Sequence, residues 1–186
     1  MNLNHLTDDA LIEQTKTLVQ KERKILTEIL HHLLEIERRR LYSKYKYPSL
    51  FAYAVSELKY SEAQAVRRIS AMRLLRDISI ATPQARKLEQ DPSHQLEAKI
   101  TSGALSLTNL VLAQKLFSNA KKAGRPMNLG AKTQVLAKLE NQSTRQAEKI
   151  VYEISPEMKS RKREFHFHEI EDDLLREKDR KSTRLN

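Results

Sequence analysis

The sequence of 186 residues contains no cysteine, no tryptophan, three glycines and five prolines. Without cysteine it can form neither a disulfide nor a thiolate metal site. The scarcity of glycine and proline favours long helices over many short strands. No apolar run approaches the ~20 residues that a membrane span requires, and the N-terminal stretch lacks the regions of a secretory signal. These absences predict a cytoplasmic, helical protein with no membrane partner.

Recognisable catalytic motifs are also missing. There is no glycine-rich phosphate loop, nucleophile elbow or HExxH zinc motif. His166 and His168 would share one face of a strand beside Glu169, which is acceptable metal spacing, but no third ligand is evident. A solvent-facing strand is favoured over a metal site there. We therefore expect no catalytic residue, metal ligand or cofactor in this chain.

Positive charge is the strongest signal in the composition. Lysine and arginine exceed aspartate and glutamate by 10, and the excess is densest between Lys121 and Arg163. Such a balance suits a polyanionic partner, because lysine and arginine displace the counterions condensed on phosphates. Charge alone does not separate a nucleic-acid-binding protein from an ordinary basic one.

A long amphipathic helix is predicted at the N-terminus. Thr7 is suited to cap it, with two aspartates in the first turn, where the helix dipole favours anions. Apolar residues then recur at spacings of three and four from Leu11 to Leu34, and the helix is predicted to run to about Leu41. A helix of this length needs partners, which are either other helices of the chain or a second copy of it.

Helix-capping residues and prolines predict further helices. Pro48 suits the first position of a helix, and Ser61 with Gln64 matches a capping box. The clearest loop is residues 120–130. The predicted helices are Ser49 to about Leu58, Ser61 to about Asp77, two short helices that start near Thr82 and Asp91 and end by Gly103, Ser106 to near Lys121, Ala131 to Leu139, and one capped by Ser143.

The segment from Glu37 to Tyr53, ERRRLYSKYKYPSLFAY, combines basic and aromatic residues. Its arginines lie at a predicted helix C-terminus, where the dipole favours cations, so helix capping explains them as well as phosphate binding does. The aromatic residues are interpreted as packing at a helix–helix corner rather than as base-stacking platforms. These aromatic residues are Tyr42, Tyr45, Tyr47, Phe51 and Tyr53.

Residues 49–77 are predicted to form two helices joined by a tight turn, which has the shape of a helix-turn-helix. The second helix would present Gln64, Arg67 and Arg68, with Arg73 and Arg76 further on. On a helical wheel its apolar residues occur nearly all round, which is typical of a central bundle helix. A central position is favoured over direct reading of a DNA groove.

The order of these segments resembles a known family. RRRLYSKYKYPSLFAYAVSELKYSEAQAVRRISAMRLLRDI, followed by KITSGALSLTNLVLAQKLF, resembles the N-terminal helical region of bacterial HNH endonuclease-like proteins. The resemblance covers roughly Leu6 to Asp173. It implies a DNA-cutting context in which a divalent metal belongs to a nuclease module that follows the helical region.

The resemblance also bears on the C-terminal segment. EFHFHEIEDDLLREKD looks like the strand–helix junction to the nuclease module, but the module does not follow, and DRKSTRLN leaves the family pattern. We expect a truncated gene whose last residues are not native. His166 and His168 do not inherit the nuclease role. The predicted organisation is a helical domain over 1–155, a basic linker over 156–163 and a strand–helix stub over 164–186.

Two turns depart from the family pattern. Lys46 and Lys59 occupy positions that are often glycine in such sequences, each in a turn. Lysine tolerates a positive φ poorly, so these turns are expected to differ in detail from those of the family. Both lysines add charge to the same region.

The sequence thus predicts an all-α protein, with a long N-terminal helix packed against several shorter helices and a C-terminal strand–helix stub. The preferred function is a non-catalytic DNA-binding or DNA-positioning domain of an HNH-type endonuclease. The alternative is a helical interaction scaffold that dimerises through the long helix without binding nucleic acid. The predicted DNA contacts are Arg38, Arg39, Arg40, Lys44, Lys46, Lys59, Gln64, Arg67, Arg68, Lys121, Lys122 and Arg125.

Overall fold

A computed structural model describes residues 3–81 and 91–156, and this part of the chain is all-helical, as the sequence predicts. None of its helices is long and apolar enough to cross a membrane. The predicted helix at Thr82, the end of the linker and the strand–helix stub lie outside the described residues. The helices are α1 (Asp8–Arg39), α2 (Leu41–Lys44), α3 (Leu50–Ser56), α4 (Glu62–Ala81), α5 (Pro92–Ser102), α6 (Leu107–Lys122), α7 (Leu129–Lys138) and α8 (Thr144–Ile154).

Helix α1 begins where its cap predicts and ends at Arg39, close to the predicted Leu41. The Thr7 hydroxyl accepts a hydrogen bond from the Ala10 N–H at 3.3 Å. At the other end Arg40 takes a left-handed conformation, φ 52° and ψ 38°, and its N–H donates to the Glu37 carbonyl. The predicted end near Leu41 was therefore slightly late, because a left-handed residue stops the α-helical hydrogen bonding and the short α2 follows at once.

Helix α3 corrects the role assigned to Pro48. The Ser49 hydroxyl accepts from the Ala52 N–H at 3.0 Å, so Ser49 is the N-cap and Pro48 precedes the cap instead of opening the helix. The helix ends at Ser56, before the predicted end at Leu58. Because Lys59 has a φ of 58°, the chain turns immediately afterwards.

Helix α4 is the centre of the bundle. Its capping box is formed, with the Ser61 N–H donating to Gln64 Oε1 at 3.1 Å and the Gln64 N–H to Ser61 Oγ at 3.3 Å. The helix packs against α1, α3, α5 and α6 and runs to Ala81, past the predicted end at Asp77. Its buried residues confirm the central position: Ala65, Val66, Ile69, Ala71, Met72, Leu74, Leu75 and Ile78.

The second half of the bundle follows its predicted caps. Asp91 caps the start of α5, Gly103 caps its end with a φ of 85°, and Ser106 caps α6. Helix α7 begins at Leu129, earlier than the predicted Ala131, because the Asn128 side chain accepts from the Ala131 N–H. The next helix, α8, starts at the predicted cap Ser143, which forms a capping box with Gln146.

The two halves of α1 differ in their contacts. In the C-terminal half Leu30 and Leu33 are buried, and Leu26, Ile29, Leu34 and Ile36 pack against the core. In the N-terminal half every side chain from Leu11 to Glu22 is exposed. We call residues 8–25 the α1 arm. At 1.5 Å per residue it is about 27 Å long, so it extends well past the helices that bury the rest of α1.

Candidate nucleic-acid interface

The region from Arg38 to Arg68 has a strong excess of positive charge. It contains eight cationic and two acidic side chains, a net charge of +6. Five of the cations are exposed and form no ion pair with any described residue. We call this group the basic corner: Arg40, Lys44, Lys46, Lys59 and Arg67.

A tyrosine cluster joins the turn after α2 to α3. The Tyr53 ring lies 6.3 Å from the Tyr45 ring and 5.6 Å, edge-on, from the Tyr47 ring, measured between centroids. The Tyr47 hydroxyl donates to Glu57 Oε2 at 2.7 Å, and this hydrogen bond raises the pKa of Tyr47. The cluster therefore holds the turn that carries Lys46 against the helix that leads to Lys59.

The aromatic residues do not all pack as expected. Phe51 is buried, and Tyr42 and Tyr53 pack against the core. Tyr45 is 65% exposed, so its assignment to packing was wrong. Its ring lies beside that of Tyr53, and Lys44 and Lys46 flank it in the sequence.

Arg38 and Arg39 share one carboxylate. Arg38 Nε donates to Glu35 Oε2 at 2.7 Å, and Arg39 Nε donates to Glu35 Oε1. These two guanidinium groups lower the pKa of Glu35 to about 2, and Glu35 in turn raises the pKa of Arg38. Both arginines remain exposed, so the trio carries a surplus positive charge at the end of α1.

Arg73 and Arg76 have a structural role that the sequence did not reveal. Arg73 donates to Glu37 Oε1 at 2.6 and 3.0 Å, and Arg76 Nη1 donates to Glu37 Oε2 at 2.9 Å. The Glu37 side chain is only 16% exposed. The three residues tie α4 to α1 and leave neither arginine available as a groove-reading side chain. The partners are 36 and 39 residues apart, a separation without a local pattern.

The turns at Lys46 and Lys59 are left-handed despite carrying lysine. Their φ angles are 63° and 58°, so both lysines adopt the conformation that lysine tolerates poorly. The Tyr47 N–H donates to the Tyr42 carbonyl at 3.1 Å and the Tyr60 N–H to the Ala54 carbonyl at 3.1 Å, and these bonds close each turn around the left-handed residue. A side chain other than glycine in this region costs roughly 1–2 kcal/mol.

The first turns of α4 offer only one free cation. Gln64 Oε1 is used by the capping box. The Arg68 guanidinium lies 4.3 Å from the Tyr60 ring centre, and its Nε is buried with no partner in the described part of the chain. Arg67 is exposed. Because four other helices surround α4, it cannot lie lengthwise in a DNA groove.

The other predicted cations form a second group at the C-terminal end of α6. Lys121, Lys122 and Arg125 are exposed. Gly124, with a φ of 74°, follows the C-cap Ala123, and the Arg125 N–H donates to the Ala120 carbonyl at 2.9 Å. Three side chains that could bind phosphate are thus presented on a short capped turn.

The described residues contain no group of three or more histidine, aspartate or glutamate side chains that could hold a metal ion. His166 and His168 lie outside them. Comparison of the chain with protein-family models, curated proteins and solved structures finds no match. Among the described residues, the site offers exposed cations and tyrosine hydroxyl groups.

Proposed function

We propose that this chain is a DNA-binding and DNA-positioning helical domain of an HNH-type endonuclease, and that it binds duplex DNA through phosphate contacts. The observation that carries the proposal is the basic corner, with five exposed cations that have no carboxylate partner among the described residues. Free cations of this kind bind phosphates regardless of base sequence and release counterions.

The backbone supports the same proposal. Lys46 and Lys59 hold a left-handed conformation that glycine adopts at lower cost. Strained backbone is found where function requires a particular side chain. A lysine at each turn adds two positive charges to the basic corner and lowers the stability of the fold. This combination is consistent with selection for an anionic partner.

The residues divide into three roles in this proposal. The basic corner contacts phosphates directly, with the exposed Tyr45 hydroxyl as a further donor. Arg38 and Arg39 contribute through the surplus charge that Glu35 leaves. Lys121, Lys122 and Arg125 make a second set of contacts. Gln64 and Arg68 are assigned to capping and to stacking on Tyr60, and no longer to DNA.

Cleavage is not part of the proposed activity of this chain. The proposal assigns a divalent metal to a nuclease module, as the family resemblance implies. A cytoplasmic location goes with this proposal. The alternative, an interaction scaffold, is favoured by one observation, the exposed α1 arm, whose consequence is developed below.

The proposal is tested by fluorescence anisotropy with a labelled 20-base-pair duplex of arbitrary sequence. With five or more phosphate contacts, the logarithm of the association constant should fall with the logarithm of salt concentration with a slope of about −4 or steeper. A second duplex of different sequence and equal length should bind with similar affinity. Absence of binding at about 50 mM salt, where such contacts are strong, would contradict the proposal.

A further inference from the structure

The α1 arm carries exposed apolar side chains in two columns with a spacing of seven residues. Leu11, Leu18 and Ile25 are 39%, 59% and 55% exposed, and Ile12 and Val19 are 52% and 36% exposed. A seven-residue spacing keeps side chains on one face over successive turns, as in helices that pair along their length. The two columns form one strip along the arm, with polar residues such as Thr15 and Glu22 between them.

The strip continues the buried face of the same helix. Leu26 and Leu33 extend the column of Ile12 and Val19 by further steps of seven, and both belong to the core packing. The pattern that packs the C-terminal half of α1 against α4 and α5 thus extends into a segment whose apolar side chains are exposed. The arm meets the bundle through Arg23, whose Nη1 donates to the Ser102 carbonyl at 2.8 Å. A helix of this kind is stabilised by tertiary packing more than by its own propensity, so a partner for the strip is expected.

We propose that the α1 arm pairs in an antiparallel orientation with the arm of a second copy of this chain. The charges of the arm specify the orientation. Residues 8–13 carry three acidic side chains and no basic one, while residues 16–25 carry four basic side chains and one acidic one. An antiparallel pair places the acidic part of each arm beside the basic part of the other, whereas a parallel pair would align like charges and the positive ends of both helix dipoles.

The size of the contact fits a weak, reversible dimer. Two paired arms of about 27 Å bury on the order of 1,000 Å² in total, which is at the low end for specific interfaces. Several positions between the apolar columns are polar, including Thr15 and Glu22, and this lowers the expected affinity further. The inference is independent of DNA binding, since the arm shares no residue with the basic corner.

Sedimentation equilibrium of the full chain tests the pairing. We expect a monomer–dimer equilibrium with a substantial dimer fraction at about 100 μM, as suits an interface of this size. Leu18→Glu should abolish the dimer. Thr17→Glu is the matched control, because it adds the same charge at the adjacent position on the opposite face, and it should leave the equilibrium unchanged. A monomer in the unaltered chain at that concentration, or a dimer that survives Leu18→Glu, would overturn the inference.

Engineered cysteines test the orientation, since the chain has none of its own. When arm residues 8–25 are overlaid antiparallel, position 11 of one copy lies opposite position 22 of the other. A mixture of Leu11→Cys and Glu22→Cys chains should form a mixed disulfide on mild oxidation, because a disulfide requires Cβ atoms about 4 Å apart. Each chain alone should crosslink at least tenfold more slowly. Rapid crosslinking of the Leu11→Cys chain with itself would indicate a parallel pair and overturn the proposed orientation.

Discussion

Arg73 and Arg76 differ from the cations of the basic corner in what surrounds their charges. The two arginines of α4 are partly buried and bonded to Glu37. The cations of the corner are exposed and have no described carboxylate partner. Both groups come from neighbouring stretches of one basic sequence, so the count of charges does not distinguish them. The difference shows that part of the positive charge holds the bundle together and that the rest remains available to a ligand.

The carboxylates decide which role each arginine takes. Glu37 points into the contact between α1 and α4 and binds two arginines there, while Glu35, two residues earlier, binds Arg38 and Arg39 at an exposed end. A half-buried charge that loses its partner costs far more than an exposed one, because water solvates the exposed charge. The two glutamates therefore offer a direct test of the distinction.

The largest expected effect is on stability. Glu37→Ala leaves Arg73 and Arg76 without their shared carboxylate, and the free energy of unfolding should fall by about 2 kcal/mol, less than for a fully buried pair. Urea denaturation followed by circular dichroism measures the change. Glu35→Ala is the control and should change the urea midpoint far less. Equal losses for the two variants would contradict the division between structural and free arginines.

The second prediction concerns the lysines of the basic corner. The triple variant Lys44→Gln, Lys46→Asn and Lys59→Asn removes three charges. The residues that it introduces tolerate the local backbone, since asparagine is among the residues that adopt a positive φ. Its duplex affinity should fall at least tenfold at about 100 mM salt, and the salt slope should become shallower by about 3.

The control for that variant removes the same charge from the α1 arm. This control replaces Lys16, Lys21 and Lys24 by Gln, which also lowers the net charge by three. The three lysines lie on the α1 arm, outside the proposed DNA contacts. The salt slope of this control should be nearly that of the unaltered chain. If both triple variants weaken binding equally, the affinity depends on total charge and not on the corner.

A third prediction separates the charge of Lys46 from its backbone. Lys46→Gly relieves a left-handed lysine and should raise the free energy of unfolding by about 0.5–1 kcal/mol, while duplex affinity falls. Lys44→Gly removes the same charge from within α2 and should not stabilise the protein. The paired urea and anisotropy measurements would count against the proposal if Lys46→Gly left DNA affinity unchanged.

The smallest expected effect comes from releasing Arg38 and Arg39. Glu35→Gln removes the carboxylate that they share, so duplex affinity should rise by roughly two- to threefold and the salt slope should steepen. The pH dependence has a defined sign. Because the pKa of Glu35 is about 2 in the fold, below its unfolded value, its stabilisation is complete above about pH 4.5 and is lost as the pH falls toward 2. The urea midpoint of Glu35→Gln should therefore vary less over that range.

Local signals predicted most of the fold and few of the site contacts. The caps at Thr7, Ser61, Asp91, Ser106 and Ser143 act over two or three residues, and each was confirmed in the hydrogen bonding. The helical wheel of α4 also predicted its central position correctly, since a helix with apolar residues on every side needs other helices packed around it.

The errors came from contacts that bring distant residues together. The bond between Glu37 and Arg76 spans 39 residues, and the exposure of Tyr45 depends on how its turn rests on α3. Lys46 and Lys59 adopt a left-handed conformation that lysine tolerates poorly, and the hydrogen bonds of their turns hold it. In each case tertiary structure overrode a local preference, so the sequence pattern alone could not locate the free cations. The family resemblance and the strand–helix stub stay predictions.

The most direct test of DNA binding through the basic corner is a salt titration of the unaltered chain and the lysine triple variant with the same 20-base-pair duplex. The account predicts a slope of about −4 or steeper for the unaltered chain and one shallower by about 3 for the variant. Two indistinguishable slopes, or no binding by either chain at about 50 mM salt, would contradict the assignment of the corner to DNA.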